Sequence, residues 1–181
     1  GPMLKSRVGE ELWLVDQPDH ARVAGYLAAH WGGGGEFARP GYFAASAQPE
    51  VLRQEVVQAV AEHDNGWWEW EAAPTIDPAD NLPLGLADVG RGRSGEGLAR
   101  WRLGVPRLAE PHPYVALLIS RHACALYAFA FEDNAGLGEE FRHSLFGGVD
   151  QAEDVAPDRK LTAAFLQEQK GVQEKLLADL R

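Results

Sequence analysis

Residues 62–68 read Glu62-His63-Asp64-Asn65-Gly66-Trp67-Trp68 and close a helical pattern that begins at Pro49. Apolar residues recur in this pattern at helical spacing, at Leu52, Val56, Ala59 and Val60. At about 100° per residue, His63 falls in the middle of the apolar stripe and Asp64 falls on its edge. The pattern predicts a helix over Pro49–Asp64 that directs an imidazole and an adjacent carboxylate toward the core.

Two explanations account for a carboxylate at this position. A buried carboxylate without a partner costs on the order of several kcal/mol, so Asp64 requires compensation. A metal ion held jointly by His63 and Asp64 would supply it. Alternatively, His63 caps the helix, and Asp64 accepts hydrogen bonds from the turn that Asn65-Gly66 signals. The pair alone leaves both explanations open.

The composition indicates a soluble, single-domain protein over residues 3–181, with Gly1-Pro2 as the remnant of a cleaved tag. Its 17 basic and 27 acidic residues give a net charge of −10, which argues against nucleic acid or an anionic membrane as partner. Cys124 is the single cysteine, and no apolar run reaches the roughly 20 residues of a membrane span. We therefore expect a cytoplasmic protein with a small-molecule substrate.

Hydrophobic periodicity predicts a mainly helical fold with one short N-terminal β-hairpin. The hairpin spans Met3–Val15 and turns at Val8-Gly9-Glu10. The predicted helices are His20–Trp31, Pro49–Asp64, Leu98–Ala109, Tyr114–Phe131 and Pro157–Arg181. Tyr114–Phe131 is apolar nearly all round, so we expect it to be the central, buried helix.

Two further histidines lie on predicted inward faces. His20 projects to the centre of the face that Val23, Ala24, Leu27 and Trp31 form, where it would be a metal ligand or a core histidine bonded to a carbonyl. His122 interrupts the most apolar helix, where an unpaired imidazole would lose about 1–3 kcal/mol. We expect His122 to face the same cavity as His63, or else to bond a backbone carbonyl or Glu69.

Three tryptophans within four residues, Trp67, Trp68 and Trp70, indicate either a packed corner or an aromatic wall beside a site. In the second case Trp67 would contact a substrate. Glu69 or Glu71 would then supply a second carboxylate near the metal.

Pro74–Gly97 and Glu132–Asp154 are predicted to be long loops, with residues 88–97 and 134–154 among the most mobile. Gly90–Gly95 matches G-x-G-x-x-G by letter, but no predicted strand precedes it, so a dinucleotide site is not indicated. Arg91 and Arg93 on this glycine-rich loop would be suited to a substrate phosphate or carboxylate.

The order of these motifs resembles the HD-domain superfamily of metal-dependent phosphohydrolases. More narrowly, four segments resemble a bacterial HD-like family of unknown function with a His-Asp-x-Gly-Trp motif. They are Gln17-Pro18-Asp19-His20-Ala21, His63-Asp64-Asn65-Gly66-Trp67, Pro113-Tyr114 through Ser120-Arg121-His122, and Glu168-Gln169. The resemblance implies an HD-like helical bundle that binds a divalent metal (Mn, Fe, Zn or Mg). It makes His20, His63 and Asp64 ligands, and His122 a further ligand or a site residue.

HD proteins complete this site with an aspartate on a late helix. The late candidates here are Asp150, Asp154, Asp158 and Asp179. None lies in the Trp-Asp pair that the narrower family carries. The resemblance therefore implies a site of three protein ligands, an inactive site, or a chain truncated relative to the family.

Three functions follow as hypotheses. The first is a metal-dependent hydrolase of a phosphate ester or nucleotide-like small molecule, with His122, Asp64 and Glu69 as catalytic residues and Arg91, Arg93 and Trp67 as substrate contacts. The second is an HD-type di-iron oxygenase. The third is a degenerate, non-catalytic domain that binds a ligand or partner. Metal content distinguishes them.

Overall fold

The structure is a computed structural model that describes residues 4–33, 35, 37–78, 80–85, 94–128 and 159–181. The helices are α1 Gln17–His30, α2 Pro49–Glu62, the short α3 Trp68–Glu71, α4 Ser94–Ala109, α5 Pro113–Ala128 and α6 Arg159–Asp179. A 3₁₀ turn covers Asn65–Trp67. The strands are β1 Leu4–Val8, β2 Glu11–Val15, β3 Ile76–Asp77 and β4 Leu82–Pro83. The predicted mainly helical class with a short N-terminal hairpin is confirmed.

The N-terminal hairpin pairs β1 and β2 antiparallel, from Leu4 opposite Val15 to Val8 opposite Glu11. Gly9 forms the turn with a φ of +64°, a conformation that glycine adopts without strain. A second antiparallel pair, β3 and β4, lies inside the segment predicted as a loop over Pro74–Gly97. The predicted C-terminal boundary of this loop, Gly97, was also wrong, because α4 already begins at Ser94.

Helix α5 is the central helix, as predicted, and packs against α2, α4 and α6. Its inward residues are almost fully buried: Val115, Ala116, Leu117, Ile119 and Ala123. Leu98, Trp101 and Val105 of α4 and Phe165 of α6 complete this cluster. The core therefore surrounds the helix that carries His122.

The buried face of α1 differs from the predicted one. Val23, Leu27 and Trp31 are more than half exposed, while Ala21 and Gly25 are buried. The reason is steric: a Cβ at Gly25 would lie 2.5 Å from the Ala61 Cβ of α2. The helices approach so closely that only the face of small residues fits between them.

Helix α6 shows a second correction. Helical spacing predicts an apolar buried stripe for this helix, made of Leu161, Ala164, Phe165, Val172, Leu176 and Leu180. The buried face is instead Thr162, Phe165, Gln169 and Leu176, and Leu161 and Leu180 are exposed. Ser120 of α5 donates a hydrogen bond to Gln169 Oε1 at 2.8 Å and accepts one from Gln173 Nε2 at 3.0 Å. Gln169 and Gln173 therefore face α5 at positions where an apolar stripe would have had leucines, because they hydrogen-bond the buried Ser120.

The loop predicted at Glu132–Asp154 lies outside the described residues. So does most of the segment 88–97, so the predicted mobility of these regions stays a prediction. Among the helices that the structure describes, none is both long and apolar enough to cross a membrane.

Candidate metal centre

Asp64 lies where the chain leaves α2 and turns toward α4. The helix ends at Glu62, His63 caps it in a helical conformation, and the 3₁₀ turn follows. A side chain at Gly66 would overlap the carbonyl oxygen of Arg100 on α4, so this close approach requires glycine. Asp64 is only 7% exposed as a result.

Two histidines approach the same carboxylate oxygen. His63 Nε2 lies 3.2 Å from Asp64 Oδ2, and His20 Nδ1 lies 3.4 Å from it. His20 belongs to the first turn of α1, where its backbone N–H donates to the Asp16 carbonyl. The His20 and His63 ring centroids are 5.3 Å apart with nearly perpendicular planes. Side chains from α1 and from the end of α2 therefore meet at one point.

One potential ligand atom from each of His20, His63 and Asp64 lies within 4.8 Å of the other two. The predicted convergence of these three side chains is therefore found. Within the described part of the chain, no other group of three His, Cys, Asp or Glu side chains meets this spacing. His122 is not a member of the group.

A hydrogen bond to the backbone fixes how the His63 ring presents its nitrogens. Nδ1 lies 2.7 Å from the Val60 carbonyl oxygen and must carry a hydrogen, because a carbonyl can only accept. Nε2 then faces Asp64, either as a lone pair that a metal can use or, when protonated, as a donor to the carboxylate. Burial lowers the pKa of His63, but the hydrogen bonds to Asp64 and Val60 and the charge of Asp64 outweigh it, and the pKa is raised.

The charge of Asp64 is stabilised by its neighbours. Burial alone would raise the pKa of its carboxyl group, but the His20 and His63 rings outweigh burial and hold the pKa below its usual range. His20 Nδ1 is buried and has no hydrogen-bond partner among the described residues, since its contact with Asp64 lacks hydrogen-bond alignment. An unpartnered buried nitrogen beside an ionised carboxylate is an arrangement that a cation would complete.

Aromatic rings form one side of the cluster. The His122 ring of α5 packs edge-on against His63, with 5.0 Å between centroids, and Trp101 of α4 lies 5.7 Å from His122. Burial raises the pKa of the nearby Tyr127 to about 12, although a hydrogen bond that Trp101 donates to it opposes the shift. His122 therefore lies beside His63, while its position in a shared cavity and its chemical role stay predictions.

A protein family model described as "Protein of unknown function (DUF3891)" matches residues 3–181. The chain belongs to the DUF3891 family. No curated protein and no solved structure matches it.

The two carboxylates of α3 in this DUF3891 protein have different partners. Glu69 is exposed and binds the guanidinium of Arg107 on α4, so its predicted catalytic role stays a prediction. Glu71 is half-buried, and its Oε1 accepts a 2.6 Å hydrogen bond from the backbone N–H of Gln17 at the start of α1. Burial raises the pKa of Glu71 to about 7, despite the hydrogen bond from Gln17.

The remaining predicted residues are distributed as follows. Trp67 and Trp70 form a buried cluster with Leu84, as the packed-corner explanation of the tryptophan motif expects. Arg100 lies over the Trp67 ring at 5.6 Å. A substrate contact of Trp67 stays a prediction. Arg91, Arg93, Asp150, Asp154 and Asp158 lie outside the described residues, and Asp179 is exposed near the end of α6.

Sequence patterns did not identify Arg107 as part of this region. Its guanidinium donates to the backbone carbonyl of Asn65, the residue after Asp64, and also binds Glu69. The contact joins residues far apart in the chain, so periodicity carries no signal for it.

Proposed function

We propose that this protein binds one divalent metal ion through His20, His63 and Asp64 and acts as a metal-dependent hydrolase. The observation that carries the proposal is the convergence of two imidazoles and one ionised carboxylate, with ligand atoms within 4.8 Å of one another. Buried His20 Nδ1, without a hydrogen-bond partner among the described residues, supports it.

The donor set favours some metals over others. Imidazole nitrogens suit zinc and iron, whereas magnesium prefers sites built from oxygen ligands. Of the four metals that the HD resemblance implies, Zn and Fe therefore fit two histidines and one aspartate best, and Mg fits least. Catalytic zinc sites with three protein ligands keep a further position for water or substrate.

The environments of the site residues suggest different roles for them. Asp64 is buried, His63 is largely buried, and both are fixed by neighbours, so they would hold the ion. The His20 side chain is 42% exposed and marks the side open to solvent. When bound, the ion would lower the pKa of a water and polarise a substrate oxygen. His122, whose ring packs on His63, would orient groups at the site or donate a proton to the leaving group.

The substrate class rests on the HD resemblance. That resemblance supports a phosphate ester or a nucleotide-like small molecule, and Arg91, Arg93 and Trp67 remain its proposed contacts. We also propose that the protein is cytoplasmic, which is the location expected of a chain with a single cysteine.

An oxidative reaction is the second candidate, and the donor set itself favours it. Two histidines and one carboxylate with open positions are also the ligands of non-haem iron oxygenases. The di-iron form expected from the HD resemblance would need further ligands, and the His122 ring lies 5.0 Å from the His63 ring.

Metal analysis of protein purified without chelator tests these alternatives. One zinc or manganese ion per chain, with metal-dependent hydrolysis in a panel of phosphomonoesters, phosphodiesters and nucleotides, would support the hydrolase. Iron with dioxygen consumption would support the oxygenase. No bound metal, and no uptake from added Zn²⁺, Mn²⁺ or Fe²⁺, would overturn both and favour a non-catalytic binding domain.

A further inference from the structure

We propose that Glu71 is a positioning residue that holds His20 in place relative to Asp64; this inference rests on the proposed metal site. The relevant relationship is that Glu71 of α3 binds the first residue of α1, while His20 lies in the first turn of the same helix. Neither the family match nor the HD resemblance assigns this role to Glu71.

The hydrogen bond joins the two chain segments that supply the ligands. Asp64 leads directly through the 3₁₀ turn into α3, which ends at Glu71. The Glu71 carboxyl group then reaches back to the Gln17 N–H at 2.6 Å, a short N–H···O hydrogen bond. Segment 64–71 and the first turn of α1 are thereby tied at one end by His20 and Asp64 and at the other by Gln17 and Glu71.

The geometry of α1 makes this contact important for His20. The N–H of the first residue of a helix has no partner within the helix, and Asp16, which precedes α1, provides no side-chain cap. Glu71 supplies the missing acceptor from outside the helix. Gln17 and Pro18 are buried at the same junction, so the first turn of α1, which carries His20, is fixed in place.

His20 needs such support more than His63 does. The His63 ring is held by the Val60 carbonyl and is largely buried, whereas the His20 side chain is 42% exposed and makes no hydrogen bond from Nδ1 within the described residues. Residues that orient a metal ligand typically contribute about 10–100-fold to metal affinity. We expect an effect in that range from the loss of the Glu71 hydrogen bond.

Titration of the full chain with Zn²⁺ by isothermal titration calorimetry tests the role of Glu71. Glu71→Ala removes the acceptor and should raise the Kd for Zn²⁺ by about 10–100-fold. Glu71→Gln keeps an acceptor oxygen and should stay within about threefold of wild type, which is the rescue that a positioning role requires. Glu50→Ala, which removes a carboxylate bound to Arg39 at the start of α2, is the matched control and should leave the Kd unchanged.

A second variant tests the same hydrogen bond by removing its donor, the Gln17 N–H. Gln17→Pro deletes the N–H at a helix position where proline is well tolerated, and it should raise the Kd in the same direction even if Glu71→Ala fails to fold. Wild-type affinity in folded Glu71→Ala or in Gln17→Pro overturns this inference alone. Absence of Zn²⁺ binding in the wild-type protein overturns the proposed metal site, and this inference with it.

Discussion

Gly25 of α1 and Ala61 of α2 are in such close contact that a Cβ at position 25 would lie 2.5 Å from the Ala61 Cβ. Real Cβ atoms do not approach a neighbour this closely, so a side chain at position 25 would push the helices apart. The same two helices carry His20 and lead into His63 and Asp64. The glycine therefore sets the separation of the elements that bring the metal donors together.

Gly25→Ala should destabilise the fold by about 1–3 kcal/mol, the usual cost of overpacking a close contact. Gly171→Ala on α6 is the matched control, because a Cβ there meets no atom of the described residues within 4 Å. It should be neutral or stabilise the protein by up to about 1 kcal/mol, since alanine favours helix. Urea denaturation followed by circular dichroism measures both. Equal stability of Gly25→Ala and wild type would show that the helices are not held by this contact.

Arg107→Ala should lower the free energy of unfolding by about 1–3 kcal/mol, because it leaves the Asn65 carbonyl without its donor. It also removes a guanidinium that lies 5.5 Å from the Trp68 ring. Arg102→Ala, which breaks an exposed pair with Glu168, is the comparison and should cost no more than about 1 kcal/mol. The account of segment 64–71 is wrong if thermal and urea unfolding rank the two variants in the opposite order.

Glu71 should make stability depend on pH. Its pKa is raised to about 7 in the fold from a usual 4.5, chiefly by burial, with Asp16 and Asp64 adding to the shift. An acid whose folded pKa is raised contributes stability that is fully present below pH 4.5 and is lost as the pH rises through 7. The loss is on the order of 1 kcal/mol, because about half of the group is exposed to solvent.

Glu71→Gln should therefore flatten the dependence of the unfolding free energy on pH between pH 4.5 and 7. The stability of the variant relative to wild type should increase as the pH rises. Unfolding free energies measured across this range, with Glu50→Gln as the reference for a carboxylate elsewhere, test the expectation. A wild-type profile that parallels Glu71→Gln would exclude a raised pKa at this carboxyl.

Periodicity predicted the helical class, the hairpin and the central position of α5, because these features follow from local spacing of apolar residues. It failed on α1, where Val23, Leu27 and Trp31 form a regular stripe that is nonetheless exposed. The buried face is decided by how closely α2 approaches, and that information lies in the pairing of Gly25 with Ala61 rather than within α1. His20 still contacts Asp64, although Val23 and Leu27 of the same predicted face are exposed.

The candidate site was predictable to a similar extent. Adjacent His63 and Asp64 at a helix end, histidines on two other helices and the resemblance to the HD superfamily together predicted their neighbourhood. The choice between the two carboxylates of α3 was not predictable, because Glu69 and Glu71 differ only in their partners on α4 and α1. Contacts of this kind, between residues far apart in the chain, cannot be read from a local sequence pattern.

The most direct test of the metal site is Zn²⁺ binding to chelator-treated protein, measured by isothermal titration calorimetry for wild type, Asp64→Asn, His63→Ala and His30→Ala. His30 lies on the same helix as His20, but its ring packs on Tyr26 and its Nδ1 bonds the Tyr26 carbonyl. We expect one ion per chain in wild type and His30→Ala, and loss of that binding in folded Asp64→Asn and His63→Ala. Binding of Zn²⁺ by Asp64→Asn with the wild-type Kd, or no binding by wild type, would contradict the assignment of this centre.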